Sequence, residues 1–315
     1  MSRRDVLQLL LLSAVWGASF ILIELSGRSF PPTWVALLRL TFGAAFLWSV
    51  LKLKGRKLPP RRLIVPLLLV AFFNNAIPFT FFALGERTVP SSIAAVLNAT
   101  TPIWALLLTF AVQSAKPNRF TITGVLLGFT GVLIVVFSHG HDSGRYGDAA
   151  AFFRGVVFIA LASLGYAIAT VIAKIKLKDL DPIGLATTQL SLAWLMLFPV
   201  AMFGAHPAAI QLSSIFAVVL LGVAGSGLAY LLYYDLLTRI PSTHVVAVTY
   251  LLPIWGLFWG YIAHEPIRWT AFVGVAIVIS GLILLNMTSL DRVKAFFAIP
   301  AKKPSEVEVE TCDAG

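Results

Sequence analysis

Asn75, Phe79 and Phe82 are spaced i, i+4, i+7, which sets an amide and two rings on one face of a helix. At an offset of 151 residues the chain repeats the arrangement with Ser226, Tyr230 and Tyr233. Tyr166 and Thr170, four apart, make a third such face, with Ser163 before them and Lys174 after. At the same offset of 151, Asn98 stands against Thr249 and Ala99 against Tyr250. These groups donate, accept and stack. Their chemistry is the non-covalent recognition of a small amphipathic ligand in a largely apolar pocket. The simpler alternative is hydrogen bonding between helices, each bond worth about 1 kcal/mol or less. Ser163 is expected to serve only that purpose.

Ionisable residues inside apolar segments are costly and therefore candidates for function. Arg39 lies seven residues past Pro32, about 10 Å along a helix. It could hold a substrate carboxylate or pair with Glu24; alternatively it is a structural arginine that snorkels outward or bonds to helix ends. His244 is placed to relay or sense protons near neutral pH, or to pack against a backbone carbonyl. None of the 14 Asp and Glu falls near the middle of an apolar run. Glu24, Glu86 and Glu265 lie toward one set of ends, and Asp235 lies four residues before Arg239, the spacing of a helical ion pair. "GVAGSGLAY" (222–230) holds Ser226 between glycines, with His244 further on, a faint echo of an intramembrane serine protease. Ala224 stands where a Gly-x-Ser-Gly motif needs glycine, and there is neither a His-Glu-x-x-His motif nor a phosphate-binding Walker loop. An enzyme is disfavoured, and no metal or other cofactor is expected. Rings of like charge or a carbonyl filter, which a channel would need, are also missing.

The elements that must carry these residues are transmembrane helices. The chain has 315 residues, 58% of them hydrophobic and only 12% charged. Its charges gather between apolar runs of about 20 residues, enough to cross a hydrocarbon core of about 30 Å. Ten spans are expected, at 5–25, 32–51, 63–85, 89–113, 119–138, 151–173, 182–203, 214–236, 241–263 and 268–288. The basic, apolar start is read as the first span rather than a signal peptide, since the run continues to Leu25. Of 24 Lys and Arg, 18 fall on the side of the termini and five on the other, with Arg39 inside a helix. That bias predicts an inner-membrane protein with both termini in the cytoplasm. It also accounts for the net charge of +10 without a nucleic-acid partner. The lone Cys312 permits no intrachain disulfide.

"VPSSIAAVLNATTPIW" (89–104) and "IPSTHVVAVTYLLPIW" (240–255) match at Pro90/Pro241 and at the Pro-Ile-Trp close. "RFT" at 119 and "RWT" at 268 open the last span of each half, and each of those spans carries two glycines seven apart. Pro32 matches Pro182, which sets Arg39 against Gln189. The expected organisation is therefore one five-helix repeat at 1–138, a connection at 139–150, a second repeat at 151–288 and a polar tail at 289–315. Five is odd, so the second copy would enter the membrane from the opposite side. Such an inverted repeat suits alternating access to a site near the midplane. The proline pair, Pro90 and Pro241, could act as pivots or simply begin helices.

"WGASF" (16–20), "ALLRLTFGAAFL" (36–47), "ALGERTVPSSIAAVLNATTPIW" (83–104) and the later echo resemble the ten-helix branch of the drug/metabolite transporter superfamily, the EamA-like exporters. The resemblance covers about residues 5–288. It implies two five-helix bundles around a cavity lined by the first, third, fourth, sixth, eighth and ninth helices. It also implies export of small metabolites, often amino acids, or of drugs. Smaller four-helix relatives exchange drug for proton at a glutamate buried in the first helix; here that helix offers Trp16 and Ser19, which leaves Glu24 or His244 for any proton coupling. A drug/proton antiporter and a lipid-linked flippase stay as alternatives to an amino-acid exporter.

Overall fold

The computed structural model describes residues 2–113, 118–139, 148–177, 180–240, 245 and 247–297. Among them the chain is all helix: α1 (Arg3–Gly27), α2 (Pro32–Leu53), α3 (Arg61–Gly85), α4 (Ser91–Val112), α5 (Arg119–His139), α6 (Ala149–Lys176), α7 (Pro182–Met202), α8 (Leu212–Arg239), α9 (Ala247–Ile262) and α10 (Trp269–Phe297). The first eight are long and apolar enough to cross a membrane, and α9 and α10 carry shorter apolar stretches, Val248–Ile262 and Trp269–Leu285. The expected helical membrane protein is borne out. Observed ends differ from the expected ones by a few residues, and α10 runs past 288 to Phe297.

Local chemistry starts the helices where the sequence placed them. Ser2 and Asp5 form a reciprocal capping box at α1. Asp148 and Asp181 accept backbone N–H bonds at the starts of α6 and α7. Pro32 and Pro182 occupy the first helical position of α2 and α7, where a missing N–H costs nothing. Serine and threonine hydroxyls within the spans, among them Thr41, Thr80, Thr187 and Ser191, return to the carbonyl four residues back. These hydroxyls are thereby satisfied within their own helices.

α1 packs on α8 and α9, α2 on α7 and α8, α3 on α6, and α4 on α6 and α9. α5 and α10 pair with each other through glycines: a β-carbon on Gly131 would lie 2.5 Å from the carbonyl oxygen of Gly274. Outward-facing Leu126, Leu195 and Phe216 are each more than 60% exposed, as suits side chains that meet lipid.

Among the described residues three spans depart from plain α-helix, and they carry Asn74, Asn75, Asn98 and Ser226. In α3 the segment Phe72–Ala76 is a π-turn, closed by the Ile77 N–H donating to the Phe72 carbonyl. Pro78 just beyond has no N–H for the Asn74 carbonyl, which removes one i→i−4 bond at this turn. In α8 the π segment is Val223–Leu228, where the Ala229 N–H bonds to the Ala224 carbonyl. α4 is interrupted between Asn98 and Thr101.

Candidate functional site

Each π segment is met by the second helix of the other half: α2 lies on the one in α8, and α7 on the one in α3. α2 lies against α8 at Gly222, where an added β-carbon would sit 2.6 Å from the Phe42 β-carbon and 2.8 Å from the Arg39 carbonyl oxygen. That close approach delivers the Arg39 Nε to the Ser226 hydroxyl oxygen at 2.9 Å. On the other side the Asn74 amide donates to Gln189 of α7 at 3.1 Å. Gln189 is the residue that the proline match sets against Arg39, and Asn75 is the counterpart of Ser226.

Arg39 is 7% exposed, so it does not snorkel. Its guanidinium lies over the Phe79 ring, 3.7 Å from the centroid, a cation–π arrangement strengthened by desolvation. Glu24 pairs instead with Arg28, at 3.8 Å. Among the described residues no carboxylate lies within ion-pairing distance of Arg39. The phenols of Tyr166 and Tyr230 and the carboxyl of Glu86 are within its electrostatic reach.

Tyr230 is the hub of the polar network. Its hydroxyl oxygen accepts from Asn74 at 3.0 Å and from Asn75 at 3.2 Å. The Asn75 Oδ1 is buried and has no partner among the described residues. Around the hub the rings form two runs. Tyr230 stacks on Tyr234, Tyr233 meets Tyr234 and Trp16, and Phe82 lies between Phe20 and Tyr166. Tyr250 packs against the large core that includes Phe82.

The structure thus brings Arg39, Asn75, Phe79, Phe82, Tyr166, Ser226, Tyr230, Tyr233 and Trp16 together. Ser19 donates to the Val15 carbonyl of its own helix and lies against Gly225. Asn98 ends the first part of α4, and its side-chain oxygen accepts from Thr101 at 3.3 Å. Thr170 is exposed and bonds back to the Tyr166 carbonyl, and Thr249 is half-buried. Ser163, as expected, bonds only to backbone carbonyls, those of Ile159 and Leu97. Pro90 caps the first part of α4. Pro241 and His244 lie outside the described residues.

Sequence reasoning missed Asn74 as a member of the site. A regular α-helix puts Asn74 about 100° away from Asn75, and only the π-turn brings both amides onto Tyr230. Two polar contacts at the ends of the bundle were also not foreseen. At the face of the termini, Arg239 bonds Asp5 and Gln8 of α1 as well as its expected partner Asp235. At the opposite face, Glu265 accepts from the backbone N–H groups of Ser91 and Ser92, at 2.9 and 3.1 Å, and from both hydroxyls.

Comparison with known proteins accords with this architecture. The model of the EamA-like transporter family matches residues 4–137 and again 153–287. An uncharacterized transporter of Bacillus subtilis (strain 168), YoaV, is 23% identical over 296 residues, covering 91% of this chain and 98% of its own. An uncharacterized inner membrane transporter of Escherichia coli (strain K12), YedA, is 24% identical over 279 residues, 87% of either chain. A crystal structure 18% identical in sequence superposes with a TM-score of 0.63 over 93% of this chain and 99% of its own, a likeness of fold alone. The resemblance read from the sequence is borne out.

Proposed function

Because the chain belongs to the EamA-like transporter family, we propose that it is a secondary transporter that exports a small carboxylate-bearing amphipathic metabolite, an amino acid or a close relative, by alternating access. The observation that carries this reading is Arg39: a buried guanidinium, held by Ser226 and Phe79, with no carboxylate within ion-pairing distance among the described residues and Glu86 interacting with it only at longer range. A buried charge is tolerable when a counter-charge arrives, so the site is poised for an anionic group. The unpartnered Asn75 Oδ1 is an acceptor suited to an ammonium group, and the two runs of rings suit an apolar or aromatic side chain.

The alternating-access part is supported by the doubled family match and by the crosswise contacts. Arg39 reaches the π segment of the second half, and Gln189 receives a bond from the π segment of the first. Two such related contacts are what an inverted pair of five-helix units would make, with units at 1–138 and 151–288. The positive-inside bias assigns the face of the termini to the cytoplasm. Both faces are bridged between the halves, at Arg239–Asp5 and at Glu265–Ser91/Ser92, which suits a carrier caught between openings.

The test is counterflow in liposomes with labelled amino acids, their decarboxylated amines and their amides. Saturable exchange of the acids alone, abolished in Arg39→Gln and partly kept in Arg39→Lys, is the expected result. Equal exchange of amine and acid, indifferent to Arg39→Gln, would overturn the carboxylate reading.

A further inference from the structure

The face opposite the termini holds a carboxyl that the substrate site does not use. Glu86 directly follows α3, and its backbone N–H closes that helix on the Phe82 carbonyl at 2.9 Å. The residue is 4% exposed, and both carboxyl oxygens are buried without a hydrogen-bond partner. The charged and titratable groups facing it are Glu24 of α1, Arg39 of α2, Tyr166 of α6 and Glu265 of the segment between α9 and α10.

The three glutamates are not equivalent. Glu265 sits at a helix N-terminus, where it accepts from two N–H and two hydroxyl donors. Glu24 has the Arg28 cation at 3.8 Å. Glu86 has no side-chain donor and no cation at ion-pairing distance, and two like charges lie near it. A desolvated carboxylate there is strongly disfavoured, whereas a neutral carboxyl needs no counter-charge. Among the described residues no three acidic, His or Cys side chains converge as metal ligands, so the chemistry favours a proton over a metal ion.

We propose that Glu86 is a proton-binding site which this face of the protein occludes when it closes. On closing, the hydrated carboxylate takes one proton from the solution on that side and is buried as the neutral acid beneath the Glu265–Ser91/Ser92 contact. On opening, water returns and the O–H bond breaks to release the proton to the same side. This rests on the carrier reading for its meaning, since only a protein that opens and closes would use such a site.

Burial, then Glu24 and Glu265, hold the Glu86 carboxyl well above the ordinary glutamate range, and Arg39 and the Glu24 backbone offset this only in part. The closed form is therefore favoured at low pH and lost as pH rises through the raised value. Between the ordinary value of about 4.3 and that raised value, the closed-to-open ratio falls about tenfold per pH unit.

The experiment uses the full chain in lipid nanodiscs with Cys312→Ser, and spin labels on Arg87→Cys and Tyr261→Cys, both exposed at this face. The long-distance population should grow with pH when position 86 is Glu. It should stay small and flat with Glu86→Gln, which copies the protonated acid, and keep a pH response with Glu86→Asp. Infrared spectra of the unlabelled protein should show a protonated-carboxyl stretch that Glu86→Gln removes. A pH response persisting in Glu86→Gln, distances independent of pH in the parent, or an unchanged carboxyl band would each overturn the proposal. Neither measurement needs a substrate, so their failure leaves the carrier reading standing. Absent counterflow beside an intact pH response would do the reverse.

Discussion

Tyr230 shows what one atom does at the scale of a residue. Its phenolic oxygen serves two buried amides, so Tyr230→Phe leaves two donors of Asn74 and Asn75 with a lost acceptor. Leaving a buried donor unpaired costs about 1–3 kcal/mol. Tyr230→Phe should therefore melt at lower temperature in detergent and half-saturate at higher substrate concentration in counterflow; an unchanged value of both would remove the hub role. Spacing alone grouped Asn75 with Phe79 and Ser226 with Tyr230, because a residue four further on stays close to the same face even where the first lies in a π segment. It could not place Asn74, which the π-turn rotates toward its neighbour. Nor could it pair Glu265 with Ser91 and Ser92, which are more than 170 residues away and share no periodic signal.

Among the elements, α3 is the one whose irregularity can be probed by a substitution. Pro78 denies the Asn74 carbonyl its i+4 partner at the π-turn. Pro78→Ala restores that donor. The counterpart position in α8 is already alanine, and Ala229 still donates five residues back, to the Ala224 carbonyl, so the π-turn should persist. Thermal stability should be kept or raised and counterflow retained; a roughly tenfold fall in counterflow would show that Pro78 itself holds the turn. Span positions and the Pro-initiated helices were legible in the sequence, since each is encoded within one helix or by a repeated motif; the glycines of α5 and α10 were visible as a repeat, but not that they meet each other. The π-turns were not, because a missing N–H or a run of small residues has a geometric effect that depends on neighbours.

For the whole molecule, the two faces differ in how they are held. Arg239 reaches α1 with a charge, whereas Glu265 closes the other face as the cap of a helix in the opposite half. Removing that cap with Glu265→Ala should cost about 1 kcal/mol of closure, roughly fivefold in the open fraction. In a Cys312→Ser, Ile93→Cys background, an impermeant maleimide added at this face should then react roughly fivefold faster at fixed pH. Ile93 is 1% exposed and lies just inside the capped end, so an unaltered rate would show that the cap does not hold the face shut. The π segments finally speak to history. They begin at Phe72 and Val223, 151 residues apart, which is the offset that relates Pro90 to Pro241. A π-turn stores one residue more than the α-turn it replaces. One insertion in an ancestral five-helix chain, doubled afterwards, accounts for both copies at once; two later insertions would each have had to strike the same turn. The extra residue is then older than the duplication, inherited by both halves even as Asn75 and Ser226 diverged.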